Sequence, residues 1–407
     1  MECSDCKKRF FLAEQVFRCT KCGGSVEIIF DYNKLKKEVS IRKLKSRDFD
    51  HLRYKEFYPV KRLVTTGEGG TPLIRSKNIE KKFNLPFRLW FKNEAVNTTG
   101  SFKDRGSSVE VAKALDLRKK RAVCASTGNM GASVAAYCAV ANIGCDIFTP
   151  KDAAGVKIEQ ILAYGANVFK IDGDYTKAEK MSELAFRNYG VYLLGDYAHR
   201  REGTKSVGFE IFEQMDLDMK DSYVVCPVGN AILLSAIWKA ALEFKKVGFM
   251  KHVPKIIGFQ AENCSPIAKA FDGDGKIKPL RNPETIAGAI ECGCPLDGNR
   301  ALKALKESGG WADAVSDGEI LEARRTLSRE EGIFPEPAGA AALAGILKRK
   351  EFFEPDTDVI CIVTGNGLKT PYTGINEHPA KIEYNKKVLE RIFEKPLNSL
   401  RKEQHCP

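Results

Sequence analysis

From about residue 64 onward, short apolar runs rich in β-branched residues alternate with longer stretches of helical pattern. RLWFKNE, RAVCAST, CDIFTP, NVFKID, YVVCPVG, KIIGFQAE and DVICIVTG have the length and composition of buried strands. Between them, SSVEVAKALDLRKK, MGASVAAYCAVAN, VKIEQILAYG, KAEKMSELAFRNY and LLSAIWKAALEFKK read as helices. Strands that alternate with helices in this way predict an α/β protein with parallel sheets. No internal repeat period is visible.

The first 30 residues follow a different logic. Cys3 and Cys6 form one C-x2-C knuckle and Cys19 and Cys22 a second, with Gly23 and Gly24 after it to let the backbone fold around the sulfurs. Two such pairs supply the four thiolates of a closed, structural zinc site, which has no open position for catalysis. Residues 31–63 mix Lys, Arg, Glu and Asp and read as a helical or extended connector.

Composition narrows the class. With 43% apolar and 29% charged residues, the chain is too apolar for wholesale disorder. The longest apolar stretch, Ala122 to Phe148, is broken by Ser126, Thr127, Asn129, Ser133, Asn142 and Asp146, so no membrane span is expected. The opening MECSDCKKRF lacks a secretory pattern, and thirteen cysteines then point to a reducing, cytoplasmic setting. The net charge of +12 reads as a solvated basic surface. A nucleic-acid role for the knuckles would need aromatic residues free to stack, whereas Phe10, Phe11 and Phe17 read as the segment's own small core.

Four loops where strands hand over to helices carry the candidate chemistry, because helix N-termini there present free N–H groups. NTTGSFKDRG places Lys103 at the mouth of a helix. STGNMGAS offers hydroxyls, an amide and consecutive N–H groups, PVGNA could cradle a phosphate, and TGNGLK closes the last strand.

These loops, with GEGGTPL, NPETIAGAI, ESGGWADAVSDGEILEA and EEGIFPEPAGAAALAG, occur in an order that resembles threonine synthase, of the fold-type-II pyridoxal-phosphate enzymes. The resemblance runs from about residue 50 to 375, and the cysteine knuckles resemble those of archaeal-type members. It implies a tryptophan-synthase-β-like fold: an N-terminal zinc ribbon (1–30), the connector (31–63), a catalytic region (64–380) of two interleaved α/β subdomains with the smaller around 105–200, and a helical tail (381–407). It also implies a homodimer and a part in threonine biosynthesis. Lys103 then matches the lysine that binds the cofactor covalently and later shuttles protons. Asn129 matches the partner of the ring hydroxyl, and Gly229, Asn230 and Ala231 the holders of the cofactor phosphate. Thr364 matches the hydroxyl facing the pyridine nitrogen, a partner suited to elimination and replacement. Ser126, Thr127, Met130, Asp196 and Arg200 fall at substrate positions. The implied reaction converts O-phospho-L-homoserine and water to L-threonine and phosphate.

Several substrate positions depart from the family. GNMGAS stands for GNTSAS, placing Met130 and Gly131 where hydroxyl residues are usual. PVGNAILL puts Leu233 at an asparagine, and GDYAHRREG puts Gly195 and Asp196 where Asn and Ser are usual, while keeping Arg200. A carboxylate beside a phosphate dianion is repulsive by several kcal/mol when poorly screened. Two readings follow. Either Arg200, Arg201, Lys61 and His199 still bind the leaving phosphate, or the chain is a paralogue, cysteate-synthase-like or dehydratase-like, acting on another amino acid. His199 with Asp196 could also form an acid/base pair, and Cys292 and Cys294 read as buried thiols.

Overall fold

A computed structural model describes residues 1–126, 128–151, 155–173 and 175–370. Thr127 and the expected helical tail lie outside the described residues. Twelve strands are described: β1 (Glu2–Cys3), β2 (Val26–Glu27), β3 (Leu73–Arg75), β4 (Arg88–Asn93), β5 (Arg121–Ala125), β6 (Gly144–Pro150), β7 (Asn167–Ile171), β8 (Tyr192–Leu194), β9 (Ser222–Pro227), β10 (Lys255–Ala261), β11 (Trp311–Val315) and β12 (Asp358–Val363). All seven strand runs read from the sequence are among them, and the five helical stretches are helices.

The strands form a six-stranded sheet ordered β11-β10-β9-β12-β4-β3, a four-stranded sheet ordered β7-β6-β5-β8, and the antiparallel pair β1–β2. Every pairing in the two larger sheets is parallel except β3–β4. In the large sheet Asp358 is in register with both Ser222 and Arg88, which aligns the C-terminal ends of β9, β12 and β4. The helix Pro337–Lys348 packs against this sheet through Ala340, Ala341, Leu343 and Ala344, all buried. Its approach is so close that a Cβ on Gly345 would lie 2.2 Å from the Phe259 ring.

Residues 31–63 are more than a connector. They form the helices Tyr32–Glu38 and Ile41–Lys45 and a 3-10 helix, His51–Phe57, and bury Leu35, Leu44, Tyr54 and Phe57 in the core of the large sheet. Asp31 and Ser40 cap the two α-helices by accepting from the N–H of Lys34 and Lys43.

Residues 1–30 have a small core of Cys3, Phe10, Cys19 and Val26. Arg201 donates to the Val26 carbonyl (3.1 Å), and Lys239 to that of Ile28 (2.6 Å). Phe17 leaves this small core to pack on Phe186, Tyr192 and Tyr197, while Phe11 is 82% exposed, so the three aromatic residues do not share one core. Among the described residues no helix is long and apolar enough to cross a membrane.

Candidate active site

A cavity is lined by the loops that leave β5, β9 and β12 and the start of the helix Lys103–Asp116. Parallel sheets place ligands there because several helix N-termini converge at the carboxyl ends of the strands. Lys103, Asn129, Gly229, Asn230, Ala231 and Thr364 all line this one cavity, with Phe102, Leu233, Ile290 and Glu336.

Lys103 opens its helix just after Gly100, whose φ of +82° makes the turn. The Phe102 N–H donates to the Thr364 carbonyl (3.1 Å) and that of Asn366 to the Gly100 carbonyl (2.9 Å), which ties the lysine loop to the end of β12. In the first turn, Asp104 accepts from the N–H and hydroxyl of Thr99. The Lys103 amine lies 3.4 Å from Asp196.

Two features of this cavity are incomplete as they stand. The Asn129 amide nitrogen donates to Glu336, which also pairs with Lys157 at 3.1 Å, and the buried Asn129 Oδ1 has no partner among the described residues. On the loop after β9, the N–H groups of Gly229, Asn230 and Ala231 make no hydrogen bond among the described residues. Ala231 holds a φ of +70°, strained for a residue with a Cβ, directly before the helix Ile232–Val247. A buried acceptor and a row of free donors at a helix start suit a ligand bearing a hydroxyl and a phosphate.

The family model for pyridoxal-phosphate dependent enzymes matches residues 64–365. The threonine synthase of Methanocaldococcus jannaschii is 43% identical over 401 residues, covering 96% of this chain and 98% of that one. That of Methanosarcina acetivorans is 40% identical, covering 97% and 99%. The chain belongs to the threonine synthase family. Among solved structures, a threonine deaminase from T.th. aligns with a TM-score of 0.63 at 23% identity, covering 84% of this chain and all of that one. Maize serine racemase aligns with a TM-score of 0.63 at 21%, covering 80% and 93%. These two likenesses concern the fold. The incomplete donors and acceptor fit the cofactor of the family: the three N–H groups suit its phosphate and Asn129 Oδ1 its ring hydroxyl.

The substrate positions inferred from the family pattern are placed less uniformly. Ser126 spends its hydroxyl on the loop, accepting from the N–H of Gly128 (3.2 Å) and Gly131 (2.9 Å). Met130 is buried in the core of the small sheet and does not line the cavity. Arg200 is fully buried and its guanidinium is used up on Glu110 (2.5 Å), Ser107 and the carbonyls of Gly195 and Lys103. Arg201 is spent on Asp297 and Val26. Lys61 is exposed and hydrogen-bonds through its backbone to Asp116, a full helix away from Lys103, or about 20 Å.

His199 does not line the cavity. Burial, reinforced by Lys113, lowers its pKa to about 3, so it is neutral at ordinary pH. Its Nε2 has no hydrogen-bond partner among the described residues, so it forms no acid/base pair through that atom with Asp196. The expected basic cluster for a leaving phosphate is therefore not assembled from these four residues. Asp196 does reach the site, accepting from Asn230 Nδ2 at 2.9 Å.

Glu336 was not singled out from the sequence. Its signal was an acid between two prolines in an otherwise apolar stretch, FPEPAGAAALAG. Cys292 is half-buried with its thiol pushed up by burial to about 12, and Cys294 is exposed, so only the first behaves as an inert interior thiol. In the N-terminal segment, Cys3, Cys6, Cys19 and Cys22 bring their sulfurs within 4.8 Å of one another. A tetrahedron of thiolates at zinc distance has edges of about 3.8 Å, so these four fit such an ion with a small contraction.

Proposed function

We propose that this chain converts O-phospho-L-homoserine and water to L-threonine and phosphate with pyridoxal phosphate as cofactor. The convergence of Lys103, Asn129, Gly229, Asn230, Ala231 and Thr364 on one cavity is the observation that carries this reading. When bound, the cofactor supplies an electron sink that makes the substrate's Cα and Cβ protons acidic.

The protein supplies position and proton transfer. The N–H groups of Gly229, Asn230 and Ala231 hold the cofactor phosphate, Asn129 Oδ1 accepts from the ring hydroxyl, and Thr364 faces the ring nitrogen without supplying a charge. Glu336 and Lys157 keep the Asn129 amide turned so that its oxygen stays available. Lys103 takes the Cα proton and then a Cβ proton, which lets the Cγ–O bond break and phosphate depart. A proton returns to Cγ, water adds its hydroxyl at Cβ, and Cα is reprotonated. The loop built around Ser126 at the N-terminus of the helix Asn129–Val140 is the seat we assign to the substrate carboxylate. Incubating the cofactor-loaded protein with O-phospho-L-homoserine should yield threonine and phosphate in equal amounts by mass spectrometry and phosphate assay. A loaded protein that forms neither overturns the reading.

The four-cysteine cluster is part of the same proposal, as a structural zinc site. Metal analysis of the purified protein should find about one zinc per chain, lost in Cys6→Ser. A folded chain with no metal would remove the zinc assignment. A homodimer in the cytoplasm completes the reading; light scattering of the purified 45.2 kDa chain tests the assembly.

A further inference from the structure

We propose that Arg201 and Asp297 are positioning residues for the cofactor: they brace the loop after β9 against the four-cysteine segment, so that the order of that segment sets how tightly the cofactor phosphate is held. This rests on the assignment of Gly229, Asn230 and Ala231 to that phosphate.

The loop needs a brace. Its three N–H groups serve a phosphate in one conformation only, and Ala231 holds that conformation at a φ of +70°, a strain that persists where the surroundings over-determine it. Leu296 and Asp297 supply the constraint. The Asp297 N–H donates to the Asn230 carbonyl (3.2 Å) and the Leu296 N–H to the Asn230 amide oxygen (3.4 Å). On the other side of Ala231, Ser235 in the first turn of the helix Ile232–Val247 donates its hydroxyl to the Asp297 carboxylate. Asp297 thus grips the strained position from both sides.

Asp297 is in turn held from the N-terminal segment. Its carboxylate is buried, and Arg201 spans it with Nε (2.8 Å) and Nη2 (2.5 Å) while placing Nη1 on the Val26 carbonyl (3.1 Å). Ser25 Oγ donates to Asp297 (3.2 Å) and accepts from Arg201 (3.1 Å) and Arg300 (3.3 Å), and Arg300 pairs with Glu27 at 3.0 Å. Ser25 follows directly on the Gly23–Gly24 turn of the second knuckle. Its carbonyl accepts from the N–H (3.0 Å) and the hydroxyl (2.9 Å) of Ser4, inside the first knuckle. Both knuckles therefore meet at Ser25, and Asp297 alone stands between Ser25 and the phosphate loop. Drawing the four sulfurs onto one ion fixes both knuckles and Ser25 with them.

Pyridoxal, which lacks the phosphate, separates this coupling from a general loosening of the fold. The full-length chain, freed of cofactor, is titrated with pyridoxal phosphate and with pyridoxal, with the visible absorbance reporting binding. Wild type as purified is compared with wild type after zinc chelation and with Arg201→Lys, which keeps a cation beside Asp297 but cannot span it and Val26 together. Chelation and the substitution should each weaken pyridoxal phosphate by at least about fivefold, the scale of one hydrogen bond, and leave pyridoxal within about twofold. Ser25→Ala, which leaves the buried ion pair intact, should shift the two affinities in the same pattern and keeps the test available if Arg201→Lys does not fold. Unchanged affinity for pyridoxal phosphate in the folded forms, or an equal loss for both ligands, overturns the inference. If the affinities shift as stated while the wild type makes no threonine from O-phospho-L-homoserine, the proposed reaction fails and the brace stands.

Discussion

Lys103→Ala should lose more than about 10⁴-fold in kcat and, with it, the visible absorbance of covalently held cofactor. A positioned acid/base side chain contributes about 10²–10⁴-fold by itself, and in the proposed reading the same nitrogen also makes the covalent attachment. The substitution should leave the fold intact. The Lys103 side chain contacts Asp196 at 3.4 Å and the Phe102 ring, while the contact from Arg200 is to the Lys103 backbone carbonyl and survives. Asp196 keeps its bond from Asn230. The unfolding free energy in urea should fall by about 1–3 kcal/mol, because Asp196 stays buried while it loses a cation at 3.4 Å. Lys103→Arg should preserve the charge beside Asp196 yet fail to restore turnover, because guanidinium does not form the bond. Absorbance spectra and single-turnover kinetics of the two variants check this, and retained turnover in either would remove Lys103 from the chemistry. Any binding of nucleic acid would be indifferent to both substitutions.

Parallel strands covered on both faces announce themselves as continuous apolar runs, which is why β4, β5, β6, β9, β10 and β12 were legible, while the edge strand β7, largely exposed, was read from Val168, Phe169 and Ile171. The strands β3 and β8 are three residues long, and β11 carries Asp313 among its five. Such segments lack the length on which the pattern depends. The helix Ala198–Thr204 was missed for a more instructive reason. Its sequence AHRREGT has no apolar face, yet every residue in it is buried. Arg201 is neutralised by Asp297, Glu202 by Lys205 and Lys239, and Arg200 lies 2.5 Å from Glu110, whose carboxyl burial pushes up to about 7. Apart from Lys205, which caps the same helix, their partners stand on other elements, so charge read along the chain suggested a phosphate cluster where the fold has interior ion pairs. That Lys103, Asn129, Gly229, Asn230, Ala231 and Thr364 share one cavity was legible because each follows a strand on a loop whose glycines and amides mark a ligand turn. Glu336 was not, since its meaning depends on Asn129 and Lys157, the latter 179 residues away.

The same burial of charge supports a prediction about stability at Arg105, two residues after Lys103 on one helix. Arg105 is fully buried and reaches Glu94 through Nε (2.6 Å) and Nη2 (2.7 Å), and Glu210 through Nη1 (2.6 Å) and Nη2 (2.8 Å). Lys92 completes the group at 2.7 Å from Glu210, so two cations balance two carboxylates with no exposed side chain among them. Burial alone would raise both carboxyl pKa values; Arg105 outweighs it, with Lys92 adding, and both carboxyls sit below the ordinary range. Arg105→Met keeps most of the volume but leaves one buried negative charge unpaired, a loss of about 3–5 kcal/mol. The sign with pH follows. In the wild type the depressed carboxyls contribute stability that is complete above their unfolded pKa, about 4.3, and fades as pH falls toward the folded values. Without Arg105, burial raises the carboxyls instead, and the folded state then loses stability as pH rises from about 4.3 toward the raised folded values. The gap between variant and wild type should be widest near pH 7.5 and narrow toward pH 4.5, as measured by urea midpoints at both. A gap of equal size at the two pH values would show that Arg105 stabilises by packing rather than by charge.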